Sequence, residues 1–155
     1  MTPITDVFSL LRYEEGDRLV VYDDYNGRPL APGSHLYGNP TIGVGRALNI
    51  KGITQAESDR MLTDDVQGWY AAFPDAWFTA LDPVRQAAIV SMAHAMGAGG
   101  VRGFTGMIAA IQTALQTGEW KPVRDAVLLS KWAGEESERA TRCANMLAYG
   151  TWPIV

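Results

Sequence analysis

Cysteine is almost missing from this sequence: Cys143 stands alone, so no intrachain disulfide can form. Histidine is nearly as scarce. His35 and His94 are the two present, and with one thiol they cannot make a Cys/His zinc cluster. Carboxylates alone could still take calcium, but no EF-hand spacing occurs. Neither a metal nor a cofactor is expected. No apolar run approaches the roughly 18–20 residues that a membrane span requires. There is no excess of positive charge either; the net charge of −4 argues against nonspecific nucleic-acid binding. Internal repeats and low-complexity tracts are absent. The start, Met1-Thr2-Pro3-Ile4, has no basic stretch leading into an apolar one, so synthesis in the cytosol without a signal peptide is expected.

What is there fits one globular domain. The 155 residues are 47% hydrophobic and 19% charged, enough to bury a sizeable core. The charge is uneven, −5 over residues 1–81 and +1 over residues 82–155. The acidity therefore sits in the half that contains Glu15-Gly16, then Asp23-Asp24, then Thr41-Ile42-Gly43-Val44-Gly45. Two carboxyl groups on different elements suit a reaction that needs one protonated and one ionised acid.

Thr2-Pro3 reads as an N-cap and first helical residue, with a helix to about Tyr13 stopped by Gly16. Residues 18–22 are β-prone. Residues 25–40 are turn chemistry nearly throughout, with Leu36-Tyr37 as a brief edge strand, and Thr41–Val44 forms a third strand. Thr54-Gln55-Ala56-Glu57 is a capping box that opens a long helix with Leu62, Val66, Trp69 and Phe73 on one stripe, ended by Pro74. Asp82-Pro83 starts a helix that is apolar on nearly every side and ends at Gly97, Gly99 and Gly100. Further helices run from Phe104 to Gly118, from Pro122 to Ser130, and from about Glu135 to Tyr149 with Gly150 after it. The fold class expected is α+β: a small antiparallel sheet lobe at about 15–53, a larger helical lobe at about 54–155 plus the first helix, a long helix joining them, and a cleft between.

These residues resemble the phage-type lysozymes, the endolysins of tailed phages. The match rests on Glu15-Gly16, Asp24 and Thr41-Ile42-Gly43-Val44-Gly45. It continues through Leu81 to Ile89, Gly103-Phe104-Thr105, Ser130-Lys131-Trp132, Arg139 to Arg142 and Gly150-Thr151-Trp152. Three departures stand out, one being His94 at the place of the glycan-contacting Gln or Asn that the family carries on its buried helix. Sixteen residues separate Asp24 from Thr41, a longer loop than the family prototype has, and Arg46 stands where the prototype has histidine.

The resemblance implies hydrolysis of the β-1,4 bond between N-acetylmuramic acid and N-acetylglucosamine in peptidoglycan. It gives Glu15 the role of general acid, favoured by partial burial at the helix end. Asp24 and the Thr41 hydroxyl would hold the attacking water. Such an inverting arrangement needs carboxyl groups roughly 6.5–9.5 Å apart. Substrate contacts are implied for Gly45, Arg46, Ala47, His94 and Thr105. The implied partner is a peptidoglycan glycan strand met by a monomer. The implied place is the host cytoplasm, with release to the wall through a separate membrane pore. Side-chain chemistry alone does not choose Glu15 over Glu14, or Asp24 over Asp23; the family register does. Arg46 also reads as a solvated or cleft-rim cation, His94 as a core histidine, and Cys143 as core packing beside Ala140, Ala144 and Leu147. A lytic transglycosylase, or a non-catalytic glycan-binding or tail-structural module, are the competing readings.

Overall fold

Helix α1 (Val7–Glu15) begins where Asp6 can close a capping box. The Asp6 carboxylate accepts the Ser9 N–H at 2.7 Å, and the Ser9 hydroxyl takes up the Asp6 N–H at 3.1 Å. The computed structural model describes Ile4 and Asp6–Ile154, so the expected Thr2-Pro3 start lies outside the described residues. The helix runs past Tyr13 to Glu15, where Gly16 stops it with its N–H on the Arg12 carbonyl.

Three short strands follow: β1 (Arg18–Asp23), β2 (Pro40–Gly43) and β3 (Arg46–Ala47). They form an antiparallel sheet in the order β1-β2-β3. Tyr22 lies opposite Thr41, Asp23 opposite Pro40, and Thr41 opposite Ala47. The expected edge strand at Leu36-Tyr37 does not form, because the Tyr37 N–H is taken by the Asp23 carboxylate at 2.8 Å. The third strand is Arg46–Ala47 instead. A single turn of helix, α2 (Leu48–Lys51), is a feature the sequence did not announce.

The Thr54–Glu57 box forms as expected at the start of α3 (Gln55–Ala71). Glu57 Oε2 accepts the Thr54 N–H at 2.7 Å, and Thr54 Oγ1 accepts the Glu57 N–H at 3.2 Å. The helix ends at Ala71, ahead of Pro74, since a proline steers the residues before it out of helix. Its expected apolar stripe is only partly buried: Leu62 is exposed, Val66 and Trp69 are half-buried, and Phe73 is in the core. The chain divides into two compact units within α3, one ending at Arg60 and the other starting at Met61.

The second unit contains α4 (Ala76–Thr79), α5 (Pro83–Arg102), α6 (Thr105–Thr117), α7 (Lys121–Leu128), α8 (Lys131–Glu135) and α9 (Ser137–Tyr149). Its core is built on α5, whose Ala88, Ile89, Met92 and Ala93 are fully buried. They join a cluster that includes Met107, Ile111, Val123, Val127 and Leu147. Each large side chain so buried contributes about 1.5–3 kcal/mol before entropy is counted. Asp82 caps α5 by accepting the Val84 and Arg85 N–H groups at 3.0 and 3.1 Å, with Pro83 next in line as expected. The glycines after Met96 kink α5 without ending it. Gly97 takes φ 76° and ψ 162°, and helical turns resume as far as Arg102. The helix expected from about Glu135 to Tyr149 forms as α9, starting at Ser137 after Glu136 leaves helical geometry with φ −128° and ψ 52°, and the short α8 ahead of it is an additional element.

Arg85 ties the start of α5 to the end of α9. Its guanidinium donates to the Leu147 carbonyl at 2.8 Å and the Ala148 carbonyl at 3.2 Å, pairs with Asp82, and lies 3.8 Å from the Trp120 ring. A cation on the last carbonyls of α9 answers both their missing partners and the helix dipole. Cys143 is buried in α9, and burial pushes its thiol up from its ordinary value, with a Ser91 hydrogen bond opposing. Such a thiol is packing, not a nucleophile. Among the described residues no helix is long and apolar enough to cross a membrane. The fold is α+β, with a small three-stranded antiparallel sheet and a majority of helix.

Candidate active site

Glu15 is the last residue of α1, and its side chain is exposed, not partly buried as expected. It does not stand in open space. A Cβ built on Gly45 would come within 3.0 Å of Glu15 Oε2, so the turn between β2 and β3 passes directly against this carboxyl group. With φ 67°, position 45 favours glycine through its backbone.

At the far end of β1 the two neighbouring aspartates meet different fates. Asp23 is the last residue of β1 and Asp24 opens the turn that follows, and both carboxylates lie beside Gly38. Asp23 is 1% exposed, and its carboxylate accepts N–H groups from Tyr25 at 3.0 Å, Tyr37 at 2.8 Å and Gly38 at 2.9 Å, with the Asn26 amide at 3.2 Å. Burial pushes its acidity toward the neutral form, but the Tyr37, Tyr25 and Gly38 N–H groups and the nearby His35 outweigh it and hold it below the ordinary aspartate value. This carboxylate gathers the long loop 25–39 onto the strand. The loop also runs back along β1, where Leu30 N–H meets the Val21 carbonyl at 2.9 Å.

Asp24 is exposed and faces Asn39. The Asn39 N–H reaches Asp24 Oδ1 at 2.6 Å, and the Asn39 amide reaches Oδ2 at 2.9 Å. The Asp24 N–H in turn donates to the Asn39 carbonyl at 3.1 Å. The two Asn39 donors hold the Asp24 carboxyl below its ordinary value, against opposition from desolvation and from Asp23. Thr41, in β2, is 3% exposed, and its hydroxyl donates to the same Asn39 carbonyl at 3.2 Å. Asp24 and Thr41 are thus joined through one residue. Gly38 is packed so closely against the two aspartates that a Cβ there would clash with Asp24 Oδ1 and stand 2.9 Å from Asp23 Oδ1.

Nothing in the residue types singles out Asn39, or Asp23 beyond its place beside Asp24. A signal for Asn39 did exist. Once Tyr22 pairs with Thr41 and Asp23 with Pro40, the same antiparallel register sets Asn39 opposite Asp24.

Other expected contacts are placed as follows. Arg46 is not a free cation: it donates to Glu57 at 2.8 Å and to the Gly52 carbonyl at 3.0 Å, joining the capping box of α3. That ion pair and the Thr54 N–H hold Glu57 below its ordinary value, the Thr54 contacts most of all. Ala47 is half-buried opposite Thr41. His94 and Thr105 belong to the second unit. His94 is exposed on α5, not a core histidine, and its Nδ1 accepts the Trp69 indole N–H at 3.3 Å. Thr105 is exposed as the first residue of α6. Among the described residues, no group of three or more His, Cys, Asp or Glu side chains is placed to hold a metal ion.

Two comparisons with known proteins bear on this arrangement. The chain is 30% identical over 169 aligned positions to the pre-baseplate central spike protein Gp5 of Enterobacteria phage T4, an alignment that covers 96% of this chain and 28% of that protein. The chain therefore spans little more than a quarter of that relative's length. The family model described as phage lysozyme matches residues 13–142, a stretch that contains Glu15, Asp24, Thr41 and the loop between the last two. The chain belongs to the phage lysozyme family.

Proposed function

We propose that this chain is a muramidase that hydrolyses the β-1,4 bond between N-acetylmuramic acid and N-acetylglucosamine in peptidoglycan, with inversion. Glu15, in its protonated form, gives its proton to the leaving O4 as the bond from the muramic C1 breaks. A water attacks C1 from the opposite face, and Asp24 takes the proton that this water loses. Thr41 holds the same water. Atoms and charge balance, and the two carboxyl groups exchange protonation states.

The observation that carries the reading is the pairing within the first unit. The Glu15 carboxyl group lies against Gly45 of the Thr41–Gly45 stretch, while Asp24 and Thr41, at the other end of the same sheet, share Asn39. Gly45, Arg46 and Ala47 are proposed to line the glycan path there; for the second unit, taken by itself, His94 and Thr105 are proposed as sugar contacts. Glu15→Gln should abolish release of reducing ends from purified cell walls, a loss of at least about a hundredfold, with an unchanged unfolding curve. Normal turnover by that variant removes the mechanism. Mass spectrometry of the products separates hydrolysis from lytic transglycosylation, which leaves 1,6-anhydromuramic ends.

A second reading is favoured by the likeness to a pre-baseplate central spike protein. The same chemistry would then be carried on a particle and not released free into a lysate. Sedimentation decides: the chain pellets with particles in the one case and stays in the supernatant in the other.

A further inference from the structure

We propose that Asn39 is the positioning residue of this site, holding Asp24 in one orientation and presenting the Thr41 hydroxyl as an acceptor, so that a single water is gripped by both. The inference rests on the hydrolase reading above and names the residue that organises it.

Asn39 makes five hydrogen bonds that together leave the pair little freedom. Its N–H and its side-chain amide go to different oxygens of Asp24, at 2.6 and 2.9 Å. A carboxylate held at both oxygens cannot turn about its Cβ–Cγ bond, yet each oxygen keeps a lone pair. The Asn39 carbonyl accepts the Asp24 N–H at 3.1 Å and the Thr41 hydroxyl at 3.2 Å. A threonine hydroxyl has one proton. With that proton committed to Asn39, Thr41 offers only lone pairs. A water that donates one O–H to Asp24 and the other to Thr41 has its own lone pair left over, and that lone pair is what must reach the sugar carbon. Thr41 is nearly closed to solvent.

Asn39 is itself anchored from two sides. Its Oδ1 accepts the Asn49 amide at 2.8 Å. The residues before it, Tyr37 and Gly38, are pinned by their N–H groups on the buried Asp23 carboxylate. The long loop therefore has a concrete task. It folds over Asp23 and returns to deliver Asn39 between the two water-holding groups.

The test uses the full chain on purified peptidoglycan, with wild type, Asn39→Ala, Asn39→Asp, Glu15→Gln and Asp24→Asn compared. Asn39→Ala should lower kcat about tenfold with KM nearly unchanged, because what is lost is orientation and not substrate binding. The acid limb of its kcat profile should move to higher pH. Asn39→Asp, which puts a second carboxylate beside Asp24, should move it further. Carbon-13 NMR of the Asp24 carboxyl group, which needs no turnover, should show its titration moving the same way in both variants. A merely structural Asn39 would lower Tm while leaving the limb and the Asp24 titration in place, and that result overturns the proposal. Should the alanine variant fail to fold, Asn39→Asp keeps the shape and the backbone N–H and reads the same quantities. Glu15→Gln and Asp24→Asn losing activity while Asn39→Ala keeps wild-type kcat would sink the Asn39 role alone. Wild-type turnover by Glu15→Gln would sink both.

Discussion

A buried aspartate beside an exposed one contributes to how this molecule answers to acid, along with Asp6, Glu57, Asp75 and Asp82. Both Asp23 and Asp24 are held below the ordinary aspartate value of 3.8 in the folded chain. The unfolded chain therefore takes up their protons first as pH falls. Their contribution to stability is complete above that value and drains away as pH drops below it toward the lowered folded-state values. Thermal unfolding followed from about pH 7 to about pH 3 should show a Tm that is flat and then falls steeply. Asp23→Asn should start lower at neutral pH, because an amide cannot accept three N–H groups as a carboxylate does, and its curve should be flatter in acid. Equal slopes for the two proteins would mean that Asp23 is not the group responsible. At this scale the sequence was half legible. The register of a known family distinguishes Asp24 from Asp23, but composition cannot say that the neighbour folds the loop. That depends on N–H groups of Tyr37 and Gly38, more than a dozen residues away along the chain.

Elements whose ends carry their own chemistry were readable; those stopped by context were not. The Thr54–Glu57 box, Asp82-Pro83, Gly118 and Gly150 each act on neighbours within four residues, so each was visible in the letters. The one-turn helices α2 and α4 have too little periodicity to see. Gly97 looks like a stop but serves as a kink, since the packed residue Val101 lies beyond it. Arg46 looked like a free cation because its partner Glu57 lies on another element. A clear consequence at this scale concerns Arg85, which caps α9 from α5. Arg85→Ala should cost about 2 kcal/mol in chemical denaturation, the loss of charge-assisted bonds to two otherwise unpaired carbonyls. Arg85→Lys should recover only part, since an ammonium cannot span two carbonyls and stack on Trp120 together. Full recovery by lysine would reduce the role of the guanidinium to its charge.

Over the whole molecule, burial is divided very unequally between the two units. Among the described residues, Tyr22 is the one buried hydrophobic side chain before Arg60, and its buried companions are polar, Asp23 and Thr41. The second unit holds the hydrophobic cluster from Phe73 to Leu147. A unit secured by hydrogen bonds opens at lower free energy than one secured by packed apolar groups. Native-state hydrogen exchange should find the slowest amides at 88–93, 107–114 and 140–147, while the amides of Tyr37, Gly38 and Asn39 exchange through a smaller, separate opening. Uniform protection across both units would contradict this division.

One consequence follows for how the protein ages. Asn26-Gly27 is a pair prone to convert to aspartate through ring closure by the glycine nitrogen. Here that nitrogen's proton is engaged by the Asp23 carbonyl at 2.8 Å, and the Asn26 amide is engaged by the Asp23 carboxylate. Conversion must wait until the turn comes apart, and once it happens the attractive donor becomes a second negative charge against a buried one. The slow accumulation of that lesion on storage would serve as a chemical clock, each damaged molecule recording that its loop had let go.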